Sequence, residues 1–107
     1  MNDILISIVI VNWNGRRFLK DCLGSIFSQS FKGFEAILVD NGSIDSSVEF
    51  VKKEFPGVMI IENSVNLGFA KANNQGILRA SGKYILTLNN DTLLEALLED
   101  VNPPAEN

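Results

Sequence analysis

The residues best suited to chemistry in this chain stand where apolar runs stop. The segment YILTLNNDT, Tyr84 to Thr92, is largely apolar over its first five residues and then ends in Asn89, Asn90, Asp91 and Thr92. The same change from apolar to amide or acid occurs at Asn12 and Asn14, at Asp40 and Asn41, and at Asn63 and Asn66. Taken singly, such residues are ordinary formers of turns and helix caps, and Ser43 and Thr92 read as caps. Gly15 and Gly42 read as positions chosen for backbone shape. Asp91 invites a further reading, because a carboxylate flanked by amides is a hard-oxygen site suited to Mg²⁺ or Mn²⁺. One carboxylate holds such a cation weakly, so waters and ligand phosphate oxygens would complete its shell.

Absences narrow the chemistry further. The chain has no histidine and a single cysteine, which excludes within it disulfides, Cys or His zinc clusters, and any Ser-His-Asp or Cys-His pair. Cys22 falls on the apolar face of an expected helix and reads as core packing. Neither G-x-G-x-x-G nor G-x-x-x-x-G-K-[ST] is present, so phosphate binding would need another device, and a metal is one. Trp13 and Phe69 have two readings, stacking on a base or sugar and packing in a core. Nine basic residues are scattered in a chain of net charge −4, which gives no stripe for a nucleic acid backbone.

The elements that must position these residues follow from periodicity. With 107 residues, 46% of them hydrophobic and 21% charged, the chain is expected to be one soluble globular domain or part of one. Ile4 to Val11 is β-branched and apolar on both faces, as in a central parallel strand. It is well short of the ~20 residues needed to cross a bilayer, and no basic region precedes it, so a cytoplasmic location is expected. A helix follows over Arg16 to Gln29, then a strand over Phe34 to Val39 and a helix carrying Val48, Val51 and Phe55 inward, stopped by Pro56-Gly57. Val58 to Glu62 reads as a third strand, Phe69 to Arg79 as a helix with Gly82 beyond it, and Tyr84 to Leu88 as a fourth strand. Thr92 and Glu95 have capping-box spacing at the start of TLLEALLEDV, which predicts a short amphipathic helix ended by Asn102-Pro103-Pro104. Four strands alternating with helices imply an α/β fold, a Rossmann-like half with a parallel sheet in the order 3-2-1-4. Such sheets bind ligands outside the strand carboxyl ends where the order reverses, here between NWNG and NNDT.

Read together, SIVIVNWNG, FEAILVDNGSIDSS, NLGFAKANNQGI and GKYILTLNNDT resemble the family 2 glycosyltransferases of GT-A fold, most closely their rhamnosyltransferase-like branch. The likeness is collinear over about residues 6 to 92. It implies transfer of a sugar from a nucleoside diphosphate sugar to a glycan or lipid-linked hydroxyl, with a divalent cation, Mg²⁺ or Mn²⁺, on the diphosphate, in polysaccharide biosynthesis. It places Val11 and Asn12 against the nucleoside and Asn14 in the same loop. Many relatives end the second strand in two acids, the latter on the uracil or thymine edge. Here the pair is Asp40 and Asn41, and Asn41 keeps a carbonyl oxygen for the ring N–H, so a UDP- or dTDP-linked donor is expected. Gly68 would allow close approach, Asn74 would hold the loop, and Lys71 would approach the diphosphate or remain solvated. Asn89-Asn90-Asp91 stands at the D-x-D-like motif, which makes Asp91 the expected metal ligand and directs Asn90 toward the ribose or sugar.

The family's general base is an acid in the second half of the fold, and Glu95, Glu99 and Asp100 match no motif for it, so the base is unknown. Residues 1–92 are therefore expected to form a nucleotide-sugar-binding half-domain and residues 93–107 a terminal helix and tail, a chain truncated before the acceptor half that binds without catalysing alone. The competing reading is a non-catalytic nucleotide-binding or interaction module. Strand 4 as an open edge, with the stripe Leu93, Leu94, Leu97, Leu98 and Val101, predicts a homo-oligomer.

Overall fold

The computed structural model describes residues 3–95. Its elements run β1 (Ile6–Asn12), α1 (Arg16–Phe27), β2 (Phe34–Asp40), α2 (Ser47–Glu54), β3 (Met59–Glu62), α3 (Phe69–Arg79) and β4 (Tyr84–Asn89). The strands form one parallel sheet in the order β3-β2-β1-β4, with Asn12 opposite Asp40 and Val11 opposite Asn89. The expected order is the observed one.

The two faces of β1 separate by the period of two that a strand imposes. Ile6, Ile8 and Ile10 pack with Leu19, Cys22, Leu23 and Ile26 of α1 and Val51 of α2. Val9 faces the other way, onto Ile37, Val39 and Ala72, so α3 covers the opposite side. Gly76 makes that approach possible: a Cβ there would lie 2.4 Å from Val9 Cγ1. At the amino ends of the strands, Glu35 Oε2 accepts from Ser7 Oγ at 2.6 Å, from the Ser81 N–H at 2.7 Å and from Ser81 Oγ at 3.0 Å. Ser7 Oγ in turn accepts from the Gly82 N–H at 2.8 Å, which latches the turn between α3 and β4 to the sheet.

Differences from the sequence expectation lie at element ends. β1 begins at Ile6, where pairing with Phe34 and Tyr84 starts, and runs on to Asn12, because Asn12 still pairs with Asp40. α1 stops at Phe27; beyond it the Gln29 side chain turns back to donate to Ser25 O and to the carbonyls of Leu94 and Glu95. α2 stops at Glu54, and Phe55 leaves it with φ −134 to pack on Phe27 and Phe50. Thr92 to Glu95 are not helical: Leu94 packs against the α1 side of the core and its N–H donates to Ser25 Oγ at 2.9 Å. The rest of the expected terminal helix lies outside the described residues.

Candidate functional site

A cavity of about 330 Å³ opens at the carboxyl ends of β1, β2 and β4, at the reversal of strand order. Val11, Trp13, Asn41, Asn66, Phe69, Asn89, Asn90 and Asp91 line it. Trp13 is 55% exposed and Phe69 60%, which rules out core packing for both and makes them apolar walls at the mouth.

The floor is a network of neutral amides around one buried acid. Asp40 Oδ1 accepts from Asn12 Nδ2 at 3.0 Å and from Ser43 Oγ at 2.7 Å, and its Oδ2 accepts from the Ser43 N–H at 2.8 Å. Asn12 is fully buried, and its Oδ1 accepts from Asn90 Nδ2 at 2.9 Å. Gly15 lies beneath this contact; a Cβ there would be 2.1 Å from Asn90 Nδ2 and 2.6 Å from Asn12 Oδ1. Asn14 adopts φ 52, donates its N–H to Ser43 Oγ at 2.8 Å and takes the Ile44 N–H on its Oδ1 at 2.8 Å. Asn12, Asn14 and Asp40 thus stand behind the cavity wall and shape it.

One turn away, Asp45 takes the Arg16 N–H at 2.9 Å on one oxygen and the Ser47 N–H at 3.0 Å on the other, with the Ser47 hydroxyl also donating to it. A single carboxylate therefore serves the N-termini of both α1 and α2. Burial alone would raise its pKa, but the bonds from Ser47 and the Arg16 N–H outweigh it and hold the group below the ordinary Asp value.

Asn41 fastens the loop on the other side. Its Nδ2 donates to Gly68 O at 3.2 Å, and its Oδ1 accepts from Asn63 Nδ2 at 3.0 Å and the Leu67 N–H at 3.3 Å. Asn63 and Gln75 exchange a reciprocal amide pair at 2.8 and 2.9 Å. Asn41 reaches the cavity as expected, but the oxygen assigned to a base N–H already accepts two bonds, which uses both lone pairs. Asn74 is exposed on α3 and its side chain makes no hydrogen bond among the described residues, so the loop is held instead by Asn41, Asn63 and Gln75. Gly68, expected to allow close approach, has φ 91, and a Cβ added there would meet no heavy atom within 4 Å, so its positive φ is what calls for glycine among the described residues. Asn66 is a cavity residue that the sequence reading does not place at the nucleotide. Its Oδ1 takes the Gly68 N–H at 2.8 Å, and its amide nitrogen makes no hydrogen bond among the described residues.

Asp91 sits at the rim, exposed, with neither hydrogen bond nor ion pair among the described residues. The turn that carries it is closed by the Thr92 N–H on Asn89 O at 3.1 Å. Among the described residues no three His, Cys, Asp or Glu side chains gather to hold a metal. The donor set is one free carboxylate beside the amide oxygen of Asn89, which fits a hard cation that keeps waters and shares phosphate oxygens rather than one caged by protein. Beneath the turn, burial pushes the Cys22 thiol up to about 11, with Asp91 adding to the rise and the Thr92 backbone opposing it. Cys22 is core, as its place on α1 predicts.

A family model described as Glycosyl transferase family 2 matches residues 7–104. The chain belongs to glycosyltransferase family 2. Among curated relatives, it is 38% identical over 110 residues to a poly(ribitol-phosphate) beta-glucosyltransferase of Bacillus spizizenii, covering 95% of this chain and 17% of that protein. Among solved structures, S. aureus TarS residues 1–349 in complex with UDP superposes with a TM-score of 0.83 at 23% identity, over 91% of this chain and 30% of that one. The mannosyltransferase PcManGT from Pyrobaculum calidifontis, in complex with GDP-Man and Mn²⁺, gives a TM-score of 0.75 at 21% identity, over 82% of this chain and 28% of that one. These likenesses establish the GT-A fold. This family 2 chain spans less than a third of each protein it matches here.

Proposed function

We propose that this chain forms the donor-binding half of a glycosyltransferase, receiving a UDP- or dTDP-linked sugar together with Mg²⁺ or Mn²⁺ for transfer to a glycan or lipid-linked hydroxyl. The observation that carries this reading is the cavity itself, which brings two exposed aromatic walls and one free carboxylate together at the reversal of strand order. Trp13 and Phe69 offer faces to a base, a stacking that tolerates any ring. The amide nitrogen of Asn66 is one cavity donor open to a ring carbonyl, which a pyrimidine presents on both sides of its N–H. Asp91 and the oxygen of Asn89 would hold the cation, which when bound stabilises charge on a leaving diphosphate. Asp91 is the one titratable group lining the cavity among the described residues, and no residue is assigned as the catalytic base.

A place in polysaccharide assembly is supported by the relative named a poly(ribitol-phosphate) beta-glucosyltransferase, and a cytoplasmic location is proposed with it. Among the described residues no helix is long and apolar enough to cross a membrane. Self-association is proposed as well, because among the described residues β4 is an edge strand whose Tyr84 is 58% and Ile85 43% exposed. Calorimetric titration with UDP, dTDP, ADP and GDP, with and without Mn²⁺, tests the donor reading. Tighter binding of the two pyrimidine nucleotides in the presence of Mn²⁺ is expected; equal affinity for all four, insensitive to metal, would overturn it.

A further inference from the structure

We propose that Asn90 is a positioning residue whose amide must donate a hydrogen bond inward, so that the turn holding Asp91 has one setting and position 90 is closed to a second carboxylate. This inference rests on reading Asp91 as a cation ligand. The orientation of Asn12 decides it. Asp40 has only oxygens to offer, so the Asn12 amide nitrogen must face it, at 3.0 Å, and faces Ser43 Oγ at 3.3 Å. The Asn12 carbonyl oxygen is thereby turned toward the end of β4, where Asn90 Nδ2 meets it at 2.9 Å. Only a donor completes that contact. Asn12 is fully buried, so its oxygen would otherwise be left without a partner.

Gly15 fixes the path of the side chain, since the space a Cβ would fill is taken by the two amides. The backbone of the same turn is closed by the Thr92 N–H on Asn89 O. Held at a side chain and at a backbone bond, the turn is opposed in swinging Asp91 away from the cavity. An acid at position 90 would set a charged oxygen against the Asn12 carbonyl and near the Asp40 carboxylate. Adding a carboxylate there would therefore weaken cation binding, the reverse of what simple ligand counting predicts.

The test uses free-Mn²⁺ electron paramagnetic resonance at fixed UDP, with wild type, Asn90→Asp and Asp91→Ala chains. Asn90→Asp is expected to hold Mn²⁺ about tenfold more weakly than wild type near neutral pH. Tighter Mn²⁺ binding by Asn90→Asp, with Asp91→Ala still losing the response, would overturn the clamp alone. A normal Mn²⁺ response in Asp91→Ala would overturn the cation reading itself. Should Asn90→Asp fail to fold, the wild type decides by NMR: the Asn90 side-chain amide protons should exchange with solvent more slowly than those of Asn89. Equal, fast exchange at both would overturn the proposal.

Discussion

At the scale of single residues, the site separates groups that shape from groups that are free to bind. Asp40 and Asn12 are buried and satisfied by each other, whereas Asp91 is exposed and unpartnered among the described residues. Replacing Asp91 with Ala should abolish the Mn²⁺-dependent tightening of UDP binding while leaving the melting temperature within about a degree or two, since an exposed strand-end carboxylate adds little to packing. Calorimetry and a thermal melt on the same variant check both halves. Cys22 should resist a thiol reagent in the native chain and react on unfolding, because it is fully buried and its thiolate is disfavoured. Much of the site is legible in the sequence: the strand-end clustering locates the cavity, and the lone acid marks its rim. What is not legible there is how each amide spends its hydrogen bonds. Asn41 and Asn66 look alike in sequence, yet one is consumed by Gly68, Asn63 and Leu67 while the other keeps its nitrogen free.

At the scale of elements, two devices hold the frame on which those residues sit. Gly76 lets α3 settle on β1, and α3 begins with Phe69, one wall of the cavity. Gly76→Ala should cost about 1–3 kcal/mol in a urea melt, because the methyl meets a buried β-branched side chain, and should weaken UDP binding as α3 shifts. The Glu35 latch is sensitive to acid. Burial would raise its pKa, but the bonds from Ser7 and Ser81, with Arg79 nearby, bring it below the ordinary Glu value. Its stabilisation is therefore complete above the unfolded value and disappears as pH falls through the lower folded one. Glu35→Gln should melt below wild type at neutral pH, and the gap should close in acid. The strands and helices are readable because alternation and the 3.6 period leave strong marks, while Phe55 escapes because an aromatic beside a helix end packs equally well outside it.

At the scale of the whole molecule, the described part of the sheet ends in an open edge. Among the described residues β4 pairs only with β1, and Tyr84 and Ile85 stand exposed along it. Sedimentation at micromolar concentration should show a dimer or larger species, reduced to monomer by Ile85→Lys, since a charge on an edge strand opposes pairing. A monomeric wild type would remove self-association from the functional reading. The strand order is legible because right-handed crossovers leave few arrangements for four alternating units. Coverage of the open edge is not, because the residues that follow Glu95 lie outside the described part of the chain.

The carboxylate of Asp45 gives the two helices on one face of the sheet a shared fate. It receives the first amide of α1 and the first amide of α2, which lie far apart in sequence at Arg16 and Ser47. Opening α2 at its start displaces Asp45 and so strips a partner from α1, which couples the two ends. In a native-state hydrogen-exchange experiment the Arg16 and Ser47 amides should report a common opening free energy, and Asp45→Asn should lower both by the same amount.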